Sequence, residues 1–94
     1  MTTIHVLKCW PQYYRAIESG AKTWEIRKND RDYQYGDILC LRPWDPETQT
    51  HLPGELRVRV TYITDLSFLG DTSPGPRLPG YVGMSIKLMA EGGE

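Results

Sequence analysis

Residues 20–27 read Gly20-Ala21-Lys22-Thr23-Trp24-Glu25-Ile26-Arg27, and the change from helix to strand inside this octet organises the whole chain. Upstream, Pro11 suits the first turn of a helix, and Tyr13, Tyr14, Ala16 and Ile17 give that helix an apolar side. Gly20 can close it in a left-handed conformation at no steric cost. A strand starting near Thr23 then sends successive side chains to opposite faces. Hydrophobicity assigns Trp24 and Ile26 to the core and puts Thr23, Glu25 and Arg27 on the polar face, with Lys22 leaning over that row from the turn. A lysine, a carboxylate and a guanidinium so gathered can hold an anionic or amide-bearing ligand. The plainer reading is an ion-pair network that pins the turn.

The segments on either side complete a small sheet. Ile4 to Trp10 reads as a first strand, with Ile4 and Val6 alternating against His5 and Leu7. After a polar turn at Asn29-Asp30-Arg31-Asp32, Gly36-Asp37 punctuates the start of a third strand, Ile38 to about Arg42. Asp45 to Thr50 with Pro53-Gly54 reads as a long hairpin loop. Leu56, Val58, Val60 and Tyr62 then alternate with Arg57, Arg59 and Thr61 in the clearest half-buried strand. Gly70, Pro74, Gly75, Pro76, Pro79 and Gly80 break up the next stretch, so residues 65–80 are expected to form a long binding loop. Tyr81 to Met89 alternates Val82, Met84, Ile86 and Leu88 as a last strand, and 90–94 reads as a frayed tail. Strands with one main helix after the first of them suit a mixed α/β domain. The expected form is a small, partly open β-barrel with the helix plugging one end, spanning 1–94 as a single unit.

A formal net charge of −1 excludes a general polycation that coats nucleic acid. The charge is uneven, however. Residues 1–44 carry seven Lys/Arg against five Asp/Glu, and residues 45–94 carry four against seven. Any nucleic-acid contact is therefore expected to be small and site-like. Cys9 and Cys40 lie in apolar strand-like runs without metal-ligand spacing, which reads as two buried thiols. His5 and His51 stand apart from each other and from the cysteines, so no metal and no cofactor is expected. No signal peptide or membrane-length apolar stretch is visible, and a soluble cytoplasmic protein is expected.

The octet also resembles a known signature. Gly-x-Lys-x-x-Glu-x-Arg at a helix-to-strand turn is similar to that of the ASCH domains, small barrels related in fold to the PUA RNA-binding domains. Val6-Leu7-Lys8, Glu25 to Arg31, Gly36-Asp37-Ile38-Leu39 and Pro79 to Ile86 extend the likeness to one small ASCH-like family of bacteria and phages, mostly of unknown function. The resemblance implies a PUA-like, ASCH-type barrel and a ligand related to RNA or nucleotides. Some ASCH-like proteins are amidohydrolases of N4-acylated cytidine, and others are reported as ribonucleases. In the amidohydrolase branch the turn lysine works with a threonine three residues later and a glutamate from a later strand. Lys22 matches, but Glu25 stands at the threonine position and Leu56 to Thr64 contains no glutamate, Asp65 being the nearest carboxylate.

The expected ligand-binding residues are Lys22, Glu25, Arg27, Lys8, Arg31 and Tyr81, with Lys22 and Glu25 as the catalytic pair if the protein is an enzyme. Lys28, Arg57 and Arg59 can add to a basic groove, and Tyr33, Tyr35, Trp44 or Tyr81 can stack on a base. Trp10 and Trp24 are expected in the core. Three functions compete: an RNA- or nucleotide-binding module, a hydrolase of modified nucleobase amides or RNA, and a protein that binds a partner through the hairpin loop around Trp44 and Asp45.

Overall fold

Ile38-Leu39-Cys40-Leu41 is an unbroken apolar run, and all four residues are buried. A run of this kind suits a strand with neighbours on both edges and cover on both faces. The computed structural model describes residues 2–66 and 80–89, so the tail and residues 67–79 of the expected binding loop lie outside the described residues. The elements are β1 (Ile4–Cys9), α1 (Pro11–Glu18), β2 (Trp24–Lys28), β3 (Ile38–Asp45), β4 (Thr50–His51), β5 (Leu56–Asp65) and β6 (Tyr81–Leu88). The sheet order is β1-β3-β5-β6-β2, with β4 pairing the end of β3. β1 lies parallel to β3, and the other pairs are antiparallel. The domain is thus mostly sheet with one short helix.

β1 and β2, at the two ends of this order, are not paired to each other among the described residues, so the sheet is not closed into a barrel. In a flat sheet four strand spacings would hold them about 19 Å apart. Yet Arg27 on β2 donates from Nη2 to the Lys8 carbonyl on β1 at 2.8 Å. A single side chain spans the gap, so the sheet is strongly curled. Its inner face carries Leu7, Leu39, Leu41, Val58, Val60, Val82, Met84 and Ile86, with Ile17 of α1 packed into the same cluster. α1 ends as expected: Gly20 adopts φ +87°, and the Lys22 amide returns to the Ala16 carbonyl at 3.0 Å. That return sets Lys22 beside the first residues of β2.

Several strand phases differ from the hydrophobicity reading. Trp24 and Ile26 are 52% and 54% exposed, while Glu25 is 5% exposed. The register explains the inversion, since Glu25 pairs with Met84 and Arg27 with Val82, which puts both charged residues on the inner face. In β1 the inner residues are His5, Leu7 and Cys9, and Ile4 and Val6 are exposed. Trp10 is exposed as well, at the entry to α1, and not in the core. In β5 the alternation holds through Val60, then a bulge shifts the register so that Tyr62 pairs with Ser85 and Ile63 with Met84. The extra residue turns Tyr62 outward. Cys9 and Cys40 are free and buried, as expected.

β1 is held by a buried polar pair. His5 Nε2 lies 2.8 Å from Asp37 Oδ2, which also accepts from the Gln34 amide, while Oδ1 accepts from the Thr3 amide. An ionised carboxylate only accepts, so His5 carries its proton on Nε2. Burial alone would push the Asp37 carboxyl up, but these hydrogen bonds outweigh it and hold the group below its ordinary range. A depressed folded-state value means that the stabilisation is complete above the unfolded carboxyl's range. It is then lost as pH falls through the folded value. Asp37→Asn is therefore expected to cost about 1.5–3 kcal/mol at pH 7 and to flatten the loss of stability below about pH 4. Urea unfolding of both proteins between pH 2.5 and 7 measures this, and parallel curves would refute it.

Candidate functional site

The β1–β2 seam opens into a cleft of about 540 Å³, lined by β1, the start of α1 and β2. Its floor is Glu25. Lys22 Nζ donates to Glu25 Oε1 at 2.5 Å, and Arg27 Nε donates to Oε2 at 2.7 Å. Lys22 also donates to the Trp24 carbonyl at 2.7 Å and sits 4.5 Å from the centre of the Trp24 ring. The ion-pair network that the octet suggested is thus present, and it is largely buried. The Lys22, Glu25 and Arg27 side chains are 12%, 7% and 24% exposed.

The trio keeps capacity for a ligand. Lys22 has used two of its three donors, and Arg27 two of its five. Each Glu25 oxygen accepts one bond where it can accept two. A polar edge entering the cleft therefore meets acceptors and donors side by side. Cys9 lines the same cleft, but burial, with the Glu25 carboxylate adding to it, pushes its thiol up to about 11 against the pull of Arg27 and Lys22. At neutral pH it stays a protonated thiol and a poor nucleophile.

Of the expected ligand residues, Lys22, Glu25, Arg27, Lys8 and Tyr81 line this cleft. Arg31 does not. It lines a second depression of about 540 Å³ that begins where the first ends and shares Lys8, Arg27 and Lys28 with it. Arg57 and Arg59 belong to neither. Arg57 approaches Glu55, and Arg59 donates to the Gly36 carbonyl. Among the expected stacking residues, Tyr33 is buried against His5, and Trp44 is covered by Lys8, whose Nζ is 3.9 Å from its ring centre.

Sequence reasoning missed the cleft's aromatic wall. Trp10, Tyr13 and Trp24 are each about half exposed and line the cleft. Trp10 and Tyr13 lie nearly parallel, with centroids 6.2 Å apart and planes 17° from each other. The available signal was the i, i+3 spacing of Trp10 and Tyr13 across the start of α1, with Lys22 returning to the same helix. Among the described residues no group of His, Cys, Asp and Glu could hold a metal ion, and no helix is long and apolar enough to cross a membrane.

Residues 4–73 match the family described as Domain of unknown function (DUF3850). The chain is also similar to "Uncharacterized 12.9 kDa protein in GpA 3'region" of Escherichia phage P2, with 37% identity over 67 residues. That stretch is 71% of this chain and 60% of the phage protein, so the chain spans less than two thirds of its relative's length.

Proposed function

The chain belongs to the DUF3850 family of unknown function, and we propose that it is a binding module for an unpaired nucleobase of RNA or of a nucleotide. One observation carries this reading: half-exposed aromatic rings stand over a carboxylate floor flanked by two cations. Every base offers a π face to an aromatic ring and a polar edge to donors and acceptors. The cleft offers both kinds of partner, and its volume lies in the range of small-ligand sites. Lys22 and Glu25 are engaged with each other, and the Cys9 thiol stays protonated, so binding is favoured over nucleophilic catalysis. The curled sheet also fits an ASCH-type, PUA-like barrel left open along the β1–β2 seam, with the Arg27–Lys8 bond across the opening. Ligands of this kind are met in the cytoplasm.

Fluorescence titration tests the reading, because Trp10 and Trp24 both lie in the cleft. Single-stranded oligoribonucleotides are expected to quench the emission saturably. Trp24→Ala should weaken binding by roughly 5- to 150-fold, the range for loss of one base–aromatic stack. Trp24 is half exposed, so the fold should survive the change. No saturable quenching, or equal affinity for the two proteins, would rule the reading out. Mass analysis of the same RNA after incubation should show no product.

A further inference from the structure

The second depression is as large as the cleft but differs in character. Its walls bring together Lys8, Arg27, Lys28, Arg31 and Arg42, against Asp30 as the acid among them. With Glu25 and Glu55 counted as the partners of Arg27 and Arg42, five cations still face three acids, a local positive excess on a chain whose formal net charge is −1. The cations are also fixed to different degrees. Arg27 is held by Glu25 and the Lys8 carbonyl, and Lys8 rests on the Trp44 ring. Arg42 approaches Glu55 at 3.4 Å, whereas Arg31 makes no ion pair among the described residues.

The cleft floor suits an anion less well than the groove. Lys22 and Arg27 are both bound to Glu25, and a phosphate placed between them would face that carboxylate at close range. The groove adds Arg31 and Arg42, which the cleft lacks, and continues directly from the cleft through their shared Lys8, Arg27 and Lys28. A base seated in the cleft would direct its sugar and phosphate along this line.

We infer that the groove is a phosphate subsite, taking the phosphomonoester or phosphodiester attached to the base in the cleft. The inference rests on the nucleobase reading of the cleft, and it narrows the ligand to a phosphorylated nucleoside or a backbone step of RNA. A nucleoside fills half of the site. Phosphate contacts supply affinity and its salt dependence, whereas the cleft supplies the stack and the polar edge.

The test compares a nucleoside, its 5′-monophosphate, a dinucleoside monophosphate and inorganic phosphate on two proteins, the wild type and the Arg31→Gln/Arg42→Gln double variant. Both arginines are exposed and line the groove but not the cleft, so the variant should fold. At low salt the wild type is expected to bind phosphorylated ligands at least tenfold more tightly than the nucleoside. The double variant should lose that advantage and keep the nucleoside affinity. The salt dependence of binding the phosphorylated ligands should flatten in the double variant to that of the nucleoside. A gain already complete with the 5′-monophosphate identifies a mononucleotide ligand, and a gain confined to the dinucleoside identifies RNA. Equal affinity for nucleoside and nucleotide, or an advantage that survives the double variant, overturns the phosphate subsite. Binding of inorganic phosphate that the double variant abolishes, with no nucleoside binding to either protein, upholds the subsite and sinks the nucleobase reading instead.

Discussion

Glu25→Gln is expected to lower the unfolding free energy by about 3 kcal/mol, the low end of the range for removing one partner of a buried ion pair. Glutamine keeps the shape and one carbonyl acceptor but not the charge. Lys22 and Arg27 then face each other across a neutral group in a site where their side chains are only 12% and 24% exposed. Their partial contact with water limits the penalty, and that is the reason for choosing the low end. In a domain of this size the loss corresponds to a fall in Tm of roughly 12–24 °C. Glu25→Leu combined with Lys22→Met should cost less than the sum of the two single changes, because it removes a charge and its counter-charge together. Urea unfolding of the wild type, Glu25→Leu, Lys22→Met and the double variant closes the cycle, with Glu25→Gln measured beside them. A single-variant loss below about 1 kcal/mol would show that the trio behaves like a solvent-exposed pair, and the cleft would then lack a rigid floor.

The same trio explains which parts of the molecule were legible in the sequence. Strand phase is read from hydrophobicity on the assumption that apolar side chains point inward. That held for the middle of the sheet, where Val58, Val60, Val82, Met84 and Ile86 are buried as their alternation suggests. It failed in β2, where a charged residue takes the inner face because two cations accompany it, and apolar Trp24 and Ile26 turn outward. In β1 the inner face includes His5, which is buried because Asp37 receives its hydrogen bond, while Ile4 and Val6 are left exposed. Local rules give way where a polar network compensates its own burial, and both strands affected border the seam. The helix stop at Gly20, by contrast, depends on backbone sterics alone and was readable from the residue type. The β5 bulge was hidden for a different reason, since nothing in Val60-Thr61-Tyr62 marks an extra residue until the strand opposite is known. The gathering of Lys22, Glu25 and Arg27 was visible in their spacing. The aromatic wall was not, because Trp10 and Trp24 look like core residues when apolar character alone is used to place them.

Leu39→Ala tests the other end of this contrast and is expected to cost about 3–4 kcal/mol through lost burial and the cavity left behind. Leu39 has no measurable exposure and sits on β3, between parallel β1 and antiparallel β5. It stands opposite His5 on one neighbour and Val58 on the other. Strands engaged on both edges leave little room for the backbone to collapse into the vacated space, so the cavity contribution should be nearly complete. Val6→Ala on adjacent β1 is the matched control. It also removes methyl groups from a strand residue, but from one that is 47% exposed, and its cost should stay within about 0.5 kcal/mol. Denaturant unfolding separates the two, with the midpoint moving and the slope constant if the unfolded ensemble is unchanged. Leu39 lies outside the cleft lining, so ligand affinity per folded molecule should match the wild type under conditions where Leu39→Ala remains folded. A change in that affinity would mean that the seam's geometry is set by the core beneath it, with no rigidity of its own from the Lys22–Glu25–Arg27 network. Equal stability losses for the two variants would contradict the burial of β3 between its two neighbouring strands.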